Sequence, residues 1–249
     1  MELTYATYLG VDDLLALQRP RSEPEQHDEM LFIVIHQVYE LWFKLLLHET
    51  GKLNRDLDSR ELWGAVSTLQ RMRHVLKTLV GQLDVLETMT PMSFAAFRDR
   101  LDTASGFQSV QFRELEFALG YKRPEMLKYH PKGSEGRARL ERRLQEPAVM
   151  EHVYGFLRSL GVDLPGDSPE ALQDGLYRAY RDRRDLAVLL ELLIDLDEGM
   201  QEWRYRHVKL VERTIGNKRG TGGSLGVEFL KASLFQPLFP DLWAMRHRL

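Results

Sequence analysis

The chain has 249 residues, 43% of them hydrophobic, which is ample material for the core of one domain running from residue 1 to 249. Its 34 Lys and Arg residues stand against 37 Asp and Glu, and a net charge of -3 gives no broad electrostatic reason to bind nucleic acid or an acidic membrane surface. Cysteine is absent, so disulfides, thiolate metal sites, iron–sulfur clusters and cysteine nucleophiles are excluded, and any metal must rest on histidine or carboxylate.

The opening residues Met1-Glu2-Leu3-Thr4-Tyr5 carry no basic segment followed by an apolar one, and no run reaches about 18 uncharged apolar residues. A cytoplasmic protein is expected, without a membrane or nucleic-acid partner. Apolar residues recur at spacings of three and four, with no sustained alternation and no Asn-Gly hairpin signal, so the fold class expected is all-α. One helix is predicted from about Asp28 to Glu49 and a second from about Glu61 to Glu87; Thr90-Pro91 then offers an N-cap and a first-turn proline to a short helix over 91–101. Another short helix follows at about 108–119. Residues 121–136, with two prolines and two glycines, read as a loop before helices near 137–160, and Gly166-Asp167-Ser168-Pro169 caps the next. The last long pattern, about Arg184 to Ile215, spans roughly 45–50 Å as a helix and needs neighbours along its length, either in a bundle of long antiparallel helices or in another subunit. It stops at Gly216-Asn217-Lys218-Arg219-Gly220-Thr221-Gly222-Gly223-Ser224-Leu225-Gly226, five glycines in eleven residues, which no packed helix tolerates.

Eight histidines are the candidate metal ligands. None belongs to an HExxH motif and none has a Glu three residues before it, so zincin and di-iron carboxylate sites cannot be built in the usual way. A single axial histidine on haem needs no spacing pattern, because the porphyrin supplies the remaining equatorial ligands. Two histidines sit on strongly apolar helices: His36, after the five apolar residues Leu31 to Ile35, and His207 in Trp203-Arg204-Tyr205-Arg206-His207-Val208. On residue type alone, a satisfied core histidine and a ligand both stay open for each. His48 and His74 lie among polar neighbours and read as solvated. The glycine-rich stretch lacks the order of a phosphate loop and follows a helix; a surface loop and a lid approaching a ligand both fit it, with Thr221 the obvious contact. Phe94 and Arg98, four apart, share a helical face; the arginine is a surface charge, or it points inward to a carboxylate or phosphate. Arg113 has the same choice, though Glu114 and Glu116 stand close enough to satisfy it.

Taken together, four stretches resemble the tryptophan 2,3-dioxygenase family: Phe32-Ile33-Val34-Ile35-His36-Gln37-Val38-Tyr39-Glu40-Leu41-Trp42-Phe43-Lys44, Ala104-Ser105-Gly106-Phe107-Gln108-Ser109 with Gln111-Phe112-Arg113, Trp203-Arg204-Tyr205-Arg206-His207, and Gly220-Thr221-Gly222-Gly223-Ser224. The resemblance implies a helical bundle holding haem b between helices and inserting both atoms of O2 across the indole C2–C3 bond of L-tryptophan, the first step of its breakdown through N-formyl-L-kynurenine. It implies His207 as the proximal iron ligand, Trp203 and Gly220 at the cofactor, and His36 as the distal acceptor of the indole N–H. Phe32 would pack on the indole, Arg98 would take the substrate carboxylate, and Thr221 would meet the ammonium and carboxylate under a glycine-rich active-site loop. Phe94 stands where some members carry tyrosine, so a phenolic hydrogen bond is missing here. Ala104, Ser105 and Gly106 would leave room for bound oxygen. Tyr5, Tyr8 and Leu9, within residues 1–20, match a segment that family members lend to a neighbouring subunit, implying a homotetramer. A helical haem carrier without catalysis and a cofactor-free interaction module are the other classes that these residues permit. No stretch from about Tyr121 to Tyr180, nor after Phe229, adds to the resemblance.

Overall fold

A computed structural model describes residues 3–216, 218 and 226–249, and among these residues there is no strand. Twelve α-helices are described: α1 (Tyr5–Leu9), α2 (Val11–Leu15), α3 (His27–Asp58), α4 (Leu62–Leu86), α5 (Pro91–Arg98), α6 (Val110–Leu119), α7 (Glu135–Gln145), α8 (Val149–Ser159), α9 (Pro169–Asp182), α10 (Arg184–Ile215), α11 (Val227–Lys231) and α12 (Pro240–Met245). Short 3-10 turns follow α5 at Asp99–Leu101, precede α6 at Gly106–Gln108 and fill Pro124–Tyr129, inside the stretch expected to be plain loop.

The long helices form because each has one apolar stripe. On α3 the buried positions Ile35, Tyr39, Phe43, Leu46, Thr50, Leu53 and Leu57 repeat every three or four residues, and α4 packs along both α3 and α10. The stripe explains why α3 outruns its expected end near Glu49. Leu53 and Leu57 continue it, the Thr50 hydroxyl donates to the Leu46 carbonyl at 2.8 Å, and buried Glu49 accepts from Arg71 of α4 at 3.0 and 2.9 Å. Caps fix the short helices: the Thr90 hydroxyl accepts from the Ser93 N–H and starts α5, the Ser109 hydroxyl accepts from the Phe112 N–H and starts α6, and Ser168 does the same for α9.

By length and composition α3 is the one helix among the described residues apolar enough to cross a membrane, yet Glu40 and Lys44 interrupt it and it packs against α4, α6 and α8. One large core joins α3, α4, α5, α8, α9, α10 and α12. A second, smaller one gathers Phe117, Met126 and Leu140, with Tyr129 and Phe229 against it. The tail that no sequence pattern placed is anchored by Asp197 of α10, which is fully buried. Its carboxylate accepts from the Leu238 and Phe239 amides at 2.8 and 2.9 Å and from the Trp243 indole at 2.9 Å.

Candidate active site

Helices α3, α5, α6, α10 and α11 and the 104–109 loop enclose a cavity of about 560 Å³. Phe32, His36, Phe94, Arg98, Ala104, Ser105, Gly106, Trp203 and His207 all border it, so side chains from four separate stretches of sequence converge on one space. A depression of similar volume, about 580 Å³, lies beside Lys128, His130, Lys132 and Arg137. It is more open than the first and gathers no Phe, Tyr or Trp ring, whereas a site for an apolar ring needs enclosure by apolar and aromatic walls, and we therefore place the chemistry in the first cavity.

His36 is accessible because it borders this cavity, yet enough protein surrounds its ring that burial pulls its pKa below the ordinary imidazole value, against the Phe32 carbonyl and the Glu40 charge. Its Nδ1 lies 2.7 Å from the Phe32 carbonyl oxygen one turn earlier. A carbonyl only accepts, so Nδ1 carries the hydrogen and the neutral ring keeps its lone pair on Nε2. The Phe32 ring sits 4.1 Å from the His36 ring and continues through Phe94 and Phe97 at 5.8 and 5.5 Å, forming an aromatic wall beside the acceptor. His207 is pushed down to about 4, first by burial and then by His36, two neutral bases set close enough to feel each other. Trp203, one turn before it, lies nearly parallel to its ring at 5.0 Å and 12°, which fixes the imidazole plane.

The Gln111 side chain donates to the Glu40 carboxylate at 2.8 Å and to the Glu40 carbonyl at 2.9 Å, strapping α6 to α3 one turn beyond His36. Arg113, two residues on, does not find both expected glutamates: Glu116 takes it, while Glu114 pairs with Arg139. Glu116 also receives Arg123 and Arg204, each at 3.0 Å, and Arg204 donates to the Gln236 carbonyl at 2.8 Å. Three guanidiniums thus share one carboxylate at the border of the cavity, an excess of two positive charges (three minus one). Burial, together with repulsion from Arg123 and Arg204, draws Arg113 below its usual pKa despite Glu116. Among the described residues, the Nε atoms of Arg113, Arg123 and Arg204 are buried without a hydrogen-bond partner. Sequence reading missed the gathering of this cluster; its one local signal was a charged pair, Arg113 and Glu116, at i and i+3 on α6.

Tyr5, Tyr8 and Leu9 do not border the cavity of their own chain. They are 79%, 74% and 50% exposed on α1, a helix with no buried residue. Gly220 and Thr221 lie outside the described residues; the glycines flanking that stretch, Gly216 (φ 58°) and Gly226 (φ 64°), both adopt backbone conformations that disfavour any side chain. His48 and His74 are exposed, as their polar neighbours predicted.

A donor set for haem needs a neutral imidazole at a cavity and cationic partners for two carboxylates. His207 meets the first requirement, and the doubly positive cluster with its orphaned nitrogens meets the second. Among the described residues no three His, Asp or Glu side chains gather to hold a bare metal ion.

A sequence profile described as tryptophan 2,3-dioxygenase matches residues 1–154 and 168–249. The chain is 52% identical over 255 residues to the tryptophan 2,3-dioxygenase of Herpetosiphon aurantiacus, covering 98% of this chain and 97% of that one. It is 51% identical over 254 residues to the protein of the same name from Anaeromyxobacter sp. strain K, with 98% and 95% covered. With that of Nocardioides sp. it shares 46% over 256 residues, with 100% and 95% covered.

Proposed function

The chain belongs to the tryptophan 2,3-dioxygenase family, and from that membership and the shape of the cavity we propose that it inserts both atoms of O2 across the indole C2–C3 bond of L-tryptophan, giving N-formyl-L-kynurenine. The observation that carries this reading is the pair of neutral imidazoles on α3 and α10 at one enclosed cavity. Haem b, when bound, supplies the iron at which O2 becomes reactive toward the electron-rich indole. His207 would be the iron ligand, with Trp203 holding its ring plane. Arg113 and Arg204, both buried, and Arg123 beside them would offer the propionate carboxylates charge-assisted hydrogen bonds.

The rest of the chain's work is orientation. The Nε2 lone pair of His36 accepts the indole N–H, Phe32 packs on the ring, and Arg98 takes the carboxylate with its planar fork. Thr221, beside Gly220, meets the ammonium and carboxylate from the glycine-rich loop. Ala104, Ser105 and Gly106 keep that side of the cavity small-walled, leaving space for O2. Phe94 adds apolar surface where a tyrosine would add a hydrogen bond. Each buried polar contact contributes about 1–3 kcal/mol to holding the substrate.

The unpartnered aromatic surface of α1 supports a homotetramer in which Tyr5, Tyr8 and Leu9 cover a neighbour's cavity, the enzyme being one cytoplasmic domain over residues 1–249. The test is direct: ferrous, haem-loaded protein given L-tryptophan and O2 should develop the near-ultraviolet absorbance of N-formylkynurenine. Haem binding with no product would leave a haem carrier, and no Soret band after haem supply would leave a cofactor-free helical module.

A further inference from the structure

Residues 121–136, which carry no recognisable pattern, line the cavity only through Arg123, but they place Tyr129 behind two of its wall residues. Tyr129, at the end of the Pro124–Tyr129 turn, stacks on Phe107 with ring centroids 6.1 Å apart and 29° between planes, and meets Phe229 edge-on at 5.8 Å and 85°. Phe107 and Phe229 meet each other edge to face at 4.8 Å. Both border the cavity; Tyr129 does not. Phe107 follows directly on Ala104, Ser105 and Gly106, and Phe229 stands three residues after Gly226 on α11. The three rings therefore join two wall segments that are more than a hundred residues apart in sequence. Tyr129 and Phe229 also pack against the second core of Phe117, Met126 and Leu140, which anchors the trio, and Tyr129 is its one member outside the cavity lining.

We propose that Tyr129 is a positioning residue for the substrate: through Phe107 and Phe229 it sets the spacing between the 104–106 wall and the start of α11, and so the width of the slot that receives the aromatic amino acid. This rests on the reading of the cavity as the L-tryptophan site. Among the described residues the contacts Tyr129 makes are ring contacts, including the Lys128 ammonium 5.0 Å over its face, so the ring and not the hydroxyl is what matters.

The experiment compares haem-loaded wild type, Tyr129→Leu and Tyr129→Phe. Tyr129→Leu should raise the KM for L-tryptophan about tenfold, equivalent to about 1.4 kcal/mol, with kcat within about twofold and the Soret band unchanged. Tyr129→Phe should restore wild-type KM. A residue with only a structural role would lower the melting temperature and leave KM alone. An unchanged KM in Tyr129→Leu, or an equal rise in both variants, overturns the proposal. Hydrogen exchange on the same proteins tests it apart from activity: Tyr129→Leu should lose amide protection in 102–109 and 226–233 together. If the wild type itself fails to turn over L-tryptophan, the proposed function falls, and unchanged protection in those two segments then overturns the role of Tyr129 independently.

Discussion

Glu116→Gln is the substitution on which the electrostatics of this protein turn. Glu116 is 1% exposed and is the single anion among the Arg113, Arg123 and Arg204 guanidiniums, two of them at 3.0 Å. At an effective dielectric constant of about 20, one such pair is worth about 4 kcal/mol of attraction, most of which offsets the cost of taking both charges out of water. Removing the carboxylate while keeping its volume leaves three cations with nothing to offset them, and the expected loss is about 3–5 kcal/mol. Against a typical stability of about 5–15 kcal/mol that is a large fraction of the fold. The haem-free protein should show it fully in urea unfolding. If the propionates meet this cluster, they supply part of the missing negative charge, so the haem-loaded variant should lose at least about 1.4 kcal/mol less than the haem-free one. Because folding and haem binding form a closed cycle, that difference must reappear as haem affinity at least about tenfold tighter than in the wild type. Haem titration followed at the Soret band measures it. Equal destabilisation with and without haem, or haem affinity unchanged in the variant, would refute the assignment of the cluster to the propionates.

Arg98→Ala should raise the KM for L-tryptophan by about a hundredfold and leave tryptamine, which has no carboxylate, nearly unaffected; steady-state kinetics on both substrates decide, and equal effects remove Arg98 from its role. His36→Ala should cost L-tryptophan about tenfold or more in kcat/KM while a 1-methylated substrate, with no N–H to donate, loses little; parallel losses mean that His36 does something else. For His207 the sign follows from its depressed pKa of about 4 in the haem-free fold against 6.5 when unfolded. Between those values the unfolded chain binds the extra proton, so stability present above pH 6.5 is lost as pH falls toward 4, by up to about 3 kcal/mol. His207→Leu should lack that component, and parallel stability curves for the two haem-free proteins would show that the imidazole is not buried as described.

How much of this was legible beforehand divides along a physical line. Helix α10 was predicted to the residue, because its apolar stripe and the glycine that ends it are local signals. The end of α3 was misplaced because His48, Glu49 and Thr50 look like a polar terminus, and what reconciles Glu49 with burial is Arg71 on another helix. The same limit hid the charge cluster: Glu116 sees Arg113 three residues away, but Arg204 reaches it across 88 positions. Met126 and His130 are buried in a stretch rich in prolines and glycines, where composition signals exposure. His36 and His207 were visible as oddities on apolar helices, and only resemblance to a family gave them a common purpose before the cavity brought them together.

The placement of those two imidazoles also explains why such long helices hold so small a site. His36 lies nine residues from the start of α3 and His207 eight from the end of α10, each on a rod of 32 residues that runs about 48 Å. A histidine embedded there inherits the rigidity of every turn packed on α4, and its ring is fixed further by the Phe32 carbonyl or by the face of Trp203. The 104–109 wall stands apart from these rods and is held by short-range turns, with the Ala104 N–H donating to the Leu101 carbonyl at 2.8 Å and the Gln108 N–H to the Ser105 carbonyl at 2.9 Å. The two imidazoles are thus carried by packed helices, and the 104–109 wall is carried by short turns that need support from outside. Tyr129, packed against the second core and touching Phe107 on that wall and Phe229 on α11, is placed to give that support.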